Sequence, residues 1–237
     1  MKQKVNNLSY NINILDISKN KKWKQSKRYK ENKFDTPITK NGEKIAKRAI
    51  LKLFNSGYKN IDYIYCSPLT RCIQTCLIVK EQIKKKLKKD IKIRIEYGLV
   101  EVNYKNPIIF KDGKFVTHNR TSKYLDNKLK MKNIIKKYGE HIDLNYKSMI
   151  TFSQVKLDKS QQDFLNRCID TYNGILKQVN NKKDNVLCVA HGGVIYAIYS
   201  YFNKKVMWDD YDKIAGKYCS ILVKDFKKKK IKSITNF

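Results

Sequence analysis

The sequence predicts an α/β protein, a three-layer α/β/α arrangement around a largely parallel sheet. Three observations predict it. Short runs rich in Ile, Val and Tyr alternate with longer segments of helical period, the pattern of βαβ units. One strand candidate, Val186 to Ala190, is apolar throughout, as in strands covered on both faces. Two conspicuous segments, Cys66-Ser-Pro-Leu-Thr-Arg71 and Ala190-His-Gly-Gly193, fall at strand-to-helix junctions. In such sheets ligands bind beyond the carboxyl ends of the strands.

Residues 12–18, Ile-Asn-Ile-Leu-Asp-Ile-Ser, alternate partly and read as the first strand, followed by a basic polar stretch from Lys19 to Lys33. Thr39 to Phe54 reads as a helix, with Thr39 as its cap and an apolar stripe of Ile45, Ala46, Ala49, Ile50 and Leu53. Ile61 to Cys66 is the second strand. Ser67-Pro68 then opens a helix to about Leu87, with the proline near its first turn. Ile91 to Ile95 is the third strand. Residues 102–150 lack a clean period, and we expect an insertion over the site with a helix at Lys123 to Tyr138. Gln161 to Asn180 is a helix with Phe164, Leu165, Cys168, Ile169, Tyr172 and Ile175 on one face. After Val186 to Ala190, His191-Gly-Gly breaks the strand and Val194 to Phe202 continues as a helix. Ile221 to Phe226 and Lys230 to Ile234 form a terminal strand pair. There is no internal repeat, so residues 1–237 are expected to form one domain.

The chain is 41% hydrophobic with 16 Tyr and 9 Phe, which argues for a folded protein over a disordered one. No apolar run reaches the length of a membrane span, so no membrane partner is expected. The start, Met1-Lys-Gln-Lys-Val-Asn-Asn, has no apolar signal core; the expected location is the cytosol, with the nucleus as the alternative. The net charge of +31 invites a nucleic-acid reading. Compositional drift explains it better: Lys, Asn, Ile and Tyr are abundant while Gly (9) and Pro (3) are scarce, as an AT-rich coding sequence produces. The lysines are spread along the chain, and Arg, the residue that reads bases bidentately, is rare. Non-specific polyanion binding at low salt is expected, a specific nucleic-acid partner is not. The six cysteines form no CxxC pair and read as reduced core residues. No metal site and no cofactor are expected.

The most specific motif is Tyr65-Cys-Ser-Pro-Leu-Thr-Arg71-Cys-Ile-Gln-Thr75. Arg71 falls in the first turn of a helix, where backbone N–H groups and the helix dipole favour an anion and a guanidinium adds a bidentate clamp. From spacing alone it reads equally well as an exposed helix arginine. The second motif is Asn185-Val-Leu-Cys-Val-Ala-His191-Gly-Gly-Val-Ile195. A histidine after a buried strand, followed by two glycines, puts an imidazole where the chain can approach a ligand closely; the other reading is a histidine satisfied by the core.

Together these segments resemble the histidine phosphatase (phosphoglycerate mutase-like) superfamily, which writes them SPLxRxxQTA and VxHGGxI. Phe34-Asp-Thr-Pro-Ile-Thr39-Lys-Asn-Gly42 is similar to the family's D-x-P-L-T-x-x-G, and Gly98-Leu-Val-Glu101 to the segment carrying its proton donor. Ile142-Asp-Leu-Asn-Tyr-Lys147 and Gly216-Lys-Tyr-Cys-Ser220 resemble the branch of the ubiquitin-associated and SH3-domain phosphatases. The resemblance implies a phosphoglycerate mutase-like fold. It also implies that Arg71 and His191 bind phosphate and that Glu101 protonates the leaving group. His118 and His141 read as surface residues.

One departure is decisive. The family's first strand ends in Arg-His-Gly, whose His is phosphorylated during turnover. Here the fitting register runs Ile12-Asn-Ile-Leu15 into Asp16, Ile17 and Ser18. No other register restores the motif, because the only histidines are His118, His141 and His191. Ile17 has no lone pair and cannot form a phospho-enzyme. Asp16 puts a negative charge where the family puts a positive one. The resemblance therefore implies a pocket whose His191 and Glu101 are vestigial. Such a protein would bind phosphate, a phosphorylated small molecule or a phosphoprotein weakly, or act as a scaffold. Two alternatives stand beside it: an active phosphatase or mutase-like enzyme with Asp16 or His191 as substitute nucleophile, and a basic polyanion-binding protein. A homodimer is compatible with the family, although no interface pattern is readable.

Overall fold

A computed structural model describes residues 35, 37–101, 108–111, 114–117, 129–155, 158, 160–179, 183–203, 219–226 and 230–234. In chain order the elements are α1 (Lys40–Asn55), β1 (Tyr63–Cys66), α2 (Thr70–Leu87), β2 (Ile93–Ile95), a 3-10 turn at Tyr97–Leu99, β3 (Ile108–Lys111), β4 (Lys114–Thr117), α3 (Met131–Tyr138), a second 3-10 turn at Gly139–His141, α4 (Phe152–Val155), α5 (Gln161–Gln178), β5 (Val186–Val189), α6 (Gly192–Asn203), β6 (Ile221–Asp225) and β7 (Lys230–Ile234). β2, β1 and β5 form a parallel sheet in that order. β3–β4 and β6–β7 are antiparallel pairs.

The alternation of β1 creates two cores. Successive strand side chains point to opposite faces. Ile64 and Cys66 enter a core with Ile50, Leu53 and Phe54 of α1 and Ile73, Cys76 and Ile83 of α2. Tyr65 enters the other, with Phe164, Cys168 and Ile175 of α5 and Val194 and Ala197 of α6. This is the expected three-layer arrangement, with α1 and α2 on one face and α5 and α6 on the other.

Local chemistry sets the helix ends. Thr39 caps α1, its hydroxyl accepting from Gly42 N at 3.1 Å. α5 starts with a capping box between Ser160 and Asp163. α2 begins later than the sequence suggests: Leu69 is extended (φ −67°, ψ 139°), so Ser67 and Pro68 lie in the connection and Thr70 is the first helical residue. Leu69 has no capping side chain. Asp35 supplies one from a distance, its two carboxylate oxygens accepting from Thr70 N at 2.7 Å and Thr70 Oγ1 at 2.6 Å. Asp35→Ala is expected to lower stability by about 1–2 kcal/mol, seen as a lower urea midpoint with an unchanged slope. An unchanged midpoint would mean that the cap contributes nothing.

Other expectations are revised. The predicted strand at 12–18, the stretch 19–33, His118 and the first part of the predicted helix at 123–138 lie outside the described residues; α3 itself starts at Met131. β5 is half-buried, with Cys188 exposed, although its apolar run predicted cover on both faces. It is the last strand of the described sheet, and an apolar cavity of about 540 Å³, also lined by α1, α6 and β6, opens beside it. Cys66, Cys72, Cys76 and Cys168 are buried, but Cys188 and Cys219 are not core residues. On α5 the buried residues are Phe164, Arg167, Cys168, Thr171 and Ile175, so the charged Arg167 lies on the buried side, while Leu165, Ile169 and Tyr172, expected on that face, are half-buried. The described part of the 102–150 insertion is more regular than its sequence suggests. Ile142 bridges to Ile93 at the edge of β2. Leu129 packs with Leu69, Tyr97, Val100 and Val155.

Candidate functional site

The carboxyl ends of β1 and β5 bring the two sequence motifs together. His191 follows β5 and is 3% exposed. Arg71, in the first turn of α2, places a terminal guanidinium nitrogen 3.1 Å from His191 Nδ1. Glu101, two residues beyond the 3-10 turn, places Oε2 3.6 Å from the same ring nitrogen. The three residues singled out for phosphate chemistry thus stand in contact. Asp16, Ile17 and Ser18 lie outside the described residues. His141 is at a different place, paired with Glu140 at 3.0 Å.

The second glycine after His191 has a physical purpose. Gly193 N, at the start of α6, donates to Glu101 Oε1 at 3.0 Å. A Cβ on Gly193 would overlap that same oxygen and meet the Phe164 ring at 3.1 Å. Only glycine lets the helix terminus approach the carboxyl group this closely.

Three residues that the sequence did not flag complete the site. Ser67 Oγ lies 2.8 Å from His191 Nε2 and is fully buried. Cys72 Sγ lies 3.5 Å from the same nitrogen; burial pushes its thiol up, so it is no thiolate nucleophile. Arg167, 8% exposed, donates to the carbonyls of Gly98 at 2.7 Å and Val100 at 3.0 Å and pairs with Asp158 at 2.8 Å. It therefore fixes the backbone that carries Glu101. Its one sequence signal is its position, three residues after Phe164 and one before Cys168 on the buried face of α5. Among the described residues no group of three or more His, Cys, Asp or Glu could hold a metal ion. No helix there is long and apolar enough to cross a membrane.

Electrostatics set the protonation states. Burial pushes the Glu101 carboxyl up to about 7, against the pull of Arg71, the Gly193 amide and Arg167. Burial, then Arg71 and Arg167, hold the His191 imidazole well below its usual range. The site thus offers a guanidinium, a neutral imidazole and a carboxyl able to give or take a proton near neutrality, a set suited to an oxyanion. A Glu101 pKa above its unfolded value means that its contribution to stability is fully present below pH 4.5 and is lost as pH rises through about 7. His191 acts oppositely, since a depressed imidazole loses stability as pH falls below 6.5. Glu101→Gln is therefore expected to be more stable than the parent at pH 8 by roughly 2 kcal/mol, with the gap closing toward pH 5. Thermal unfolding across that range checks it, and a gap independent of pH would refute it.

Residues 20–107 and 126–235 match the Histidine phosphatase superfamily (branch 1). The mouse Ubiquitin-associated and SH3 domain-containing protein B is 28% identical over 172 residues, 71% of this chain and 24% of that protein. The Drosophila melanogaster Ecdysteroid-phosphate phosphatase is 30% identical over 159 residues, 66% of this chain and 18% of that protein. The chain thus spans about a quarter or less of the length of these relatives. The ecdysone phosphate phosphatase from Bombix mori, solved in complex with tungstate, superposes with a TM-score of 0.52 at 19% identity, over 73% of this chain and 59% of that one, a likeness of fold. By these matches, and by the order of its motifs along the chain, the protein belongs to the histidine phosphatase superfamily.

Proposed function

We propose that this chain is a pseudophosphatase: it binds a phosphorylated small molecule or phosphoprotein through Arg71 and His191 and turns it over slowly or not at all. One observation carries the reading. Arg71, His191 and Glu101 stand assembled, while Asp16, Ile17 and Ser18 occupy the sequence positions where the family writes Arg-His-Gly. A carboxylate in place of an arginine about 4 Å from a phosphate turns an attraction into a repulsion, on the order of 4 kcal/mol each way at an effective dielectric near 20. Isoleucine in place of the nucleophile removes the covalent step. The expected compartment is the cytosol.

A second reading, a surviving phosphatase, draws on the protonation states. Glu101 keeps a proton to give near neutrality and His191 is neutral, as an acid and a nucleophile would need to be. Hydrolysis of phenyl phosphate by the purified protein decides between them, beside Arg71→Ala and a variant carrying Asp16→Arg, Ile17→His and Ser18→Gly. We expect a silent parent and an active restored variant. Turnover by the parent that Arg71→Ala abolishes would overturn the pseudophosphatase reading and direct the search to Asp16 and His191 as nucleophiles.

A further inference from the structure

His191 is surrounded by groups that constrain where its proton can be. An Arg71 terminal nitrogen stands 3.1 Å from Nδ1, and Glu101 Oε2 stands 3.6 Å from it. Ser67 Oγ stands 2.8 Å from Nε2. Cys72 Sγ lies 3.5 Å from Nε2 and 3.8 Å from Nδ1, and also 3.6 Å from the Ala190 carbonyl, which can accept its proton. Arg167 adds positive charge from α5. A guanidinium nitrogen only donates. Nδ1 must therefore meet Arg71 with its lone pair. Burial and the two arginines disfavour the doubly protonated ring, so its single proton sits on Nε2. The Ser67 oxygen is the acceptor placed to take it.

We propose that Ser67 is a positioning residue that, with Arg71 donating to Nδ1, holds His191 as the Nε2–H tautomer, so that a ligand drawing the guanidinium onto its own oxygens meets the bared Nδ1 lone pair and is selected as a phosphate monoester in its singly protonated form. This rests on reading the site as a phosphate site. A ligand oxygen that approaches a lone pair must bring its own hydrogen. The monoanion of a phosphate monoester has one, on a phosphoryl hydroxyl that donates to Nδ1 while the remaining oxygens accept from Arg71. The dianion sets lone pair against lone pair.

Phenyl phosphate and phenyl sulfate test this together. They are alike in shape, but the sulfate carries no proton at any pH of interest, while the phosphate loses its second proton near pH 6. Ionisation of Glu101 acts on both probes, so the ratio of their affinities, measured by calorimetry, reads the ligand's proton alone. The expected ratio is level below about pH 5.5 and falls about tenfold per pH unit above about 6.5. Ser67→Ala is expected to flatten that slope. Nitrogen-15 imidazole spectra of the parent should show Nε2 protonated and Nδ1 bare, and those of Ser67→Ala a mixture.

A parent ratio that stays level or rises to pH 8, or a spectrum with the proton on Nδ1, overturns the proposal. If neither probe binds, the phosphate reading fails and ligand selection fails with it, and the spectrum then upholds or overturns the lock by itself. Should Ser67→Ala not fold, the parent's ratio and spectrum decide.

Discussion

Glu96→Leu is expected to cost about 3–5 kcal/mol of stability. Glu96 is fully buried at the end of β2. Its Oε1 accepts from Gly98 N and Ser148 Oγ, each at 2.8 Å. Its Oε2 accepts from Tyr146 Oη at 2.6 Å and Met149 N at 3.0 Å. Leucine strands three donors in the interior, while Ser148 Oγ keeps the Ile150 carbonyl at 2.8 Å as its acceptor; at about 1–3 kcal/mol for each stranded group before relaxation, the sum is similar to breaking a buried ion pair. The bonds join the 3-10 turn before Glu101 to residues 146–149, so both should loosen. Urea unfolding reads the total, and hydrogen exchange at Met149 reads the local part. A loss below about 1 kcal/mol would mean that water replaces the carboxylate and that the clamp is ornamental.

Arg71→Ala is expected to weaken binding of phenyl phosphate about 100-fold. Hydrogen bonds to a charged group contribute about 1.5–3 kcal/mol, and a bidentate guanidinium makes two. The same change removes one of the charges that hold His191 neutral, so its imidazole should titrate at higher pH in the variant. Arg71→Lys should recover only part of the affinity, because an ammonium is a point charge without the planar fork. Calorimetry at fixed ionic strength measures the affinity and a histidine titration by NMR measures the shift. Affinity unchanged by Arg71→Ala would place the ligand elsewhere, on the basic surface, and would favour the polyanion reading.

Much of this architecture was legible because it is local. The Thr39 cap, the apolar stripe on α1 and the β6–β7 pair follow from period and turn chemistry, and the structure places them within a residue or two of expectation. The start of α2 was misread because Pro68 signals a helix start without fixing where it falls. The strand pair at Ile108–Lys111 and Lys114–Thr117 escapes the sequence because Ile108-Ile109-Phe110 and Phe115-Val116 are short contiguous apolar runs without alternation. Arg167 was missed because a helical pattern marks faces by apolar residues, and a charge on the buried side looks like noise until Asp158 and two carbonyls are seen around it. Asp35 belongs to the Phe34 to Gly42 motif, but its capping role is invisible there, because the residue it caps is 35 positions away.

The layer order and the meeting of Arg71 with His191 at the strand ends are legible in the chain, because both depend on residue identity and spacing. The protonation of the site follows instead from contacts that spacing does not reveal. Whether Glu101 holds its proton near pH 7 depends on its burial and on the amide of Gly193. Which nitrogen of His191 carries its proton depends on Ser67 and Arg71 approaching from opposite sides. Those are distances between residues far apart in the chain, and the energy of a buried charge is set by such distances rather than by sequence neighbours.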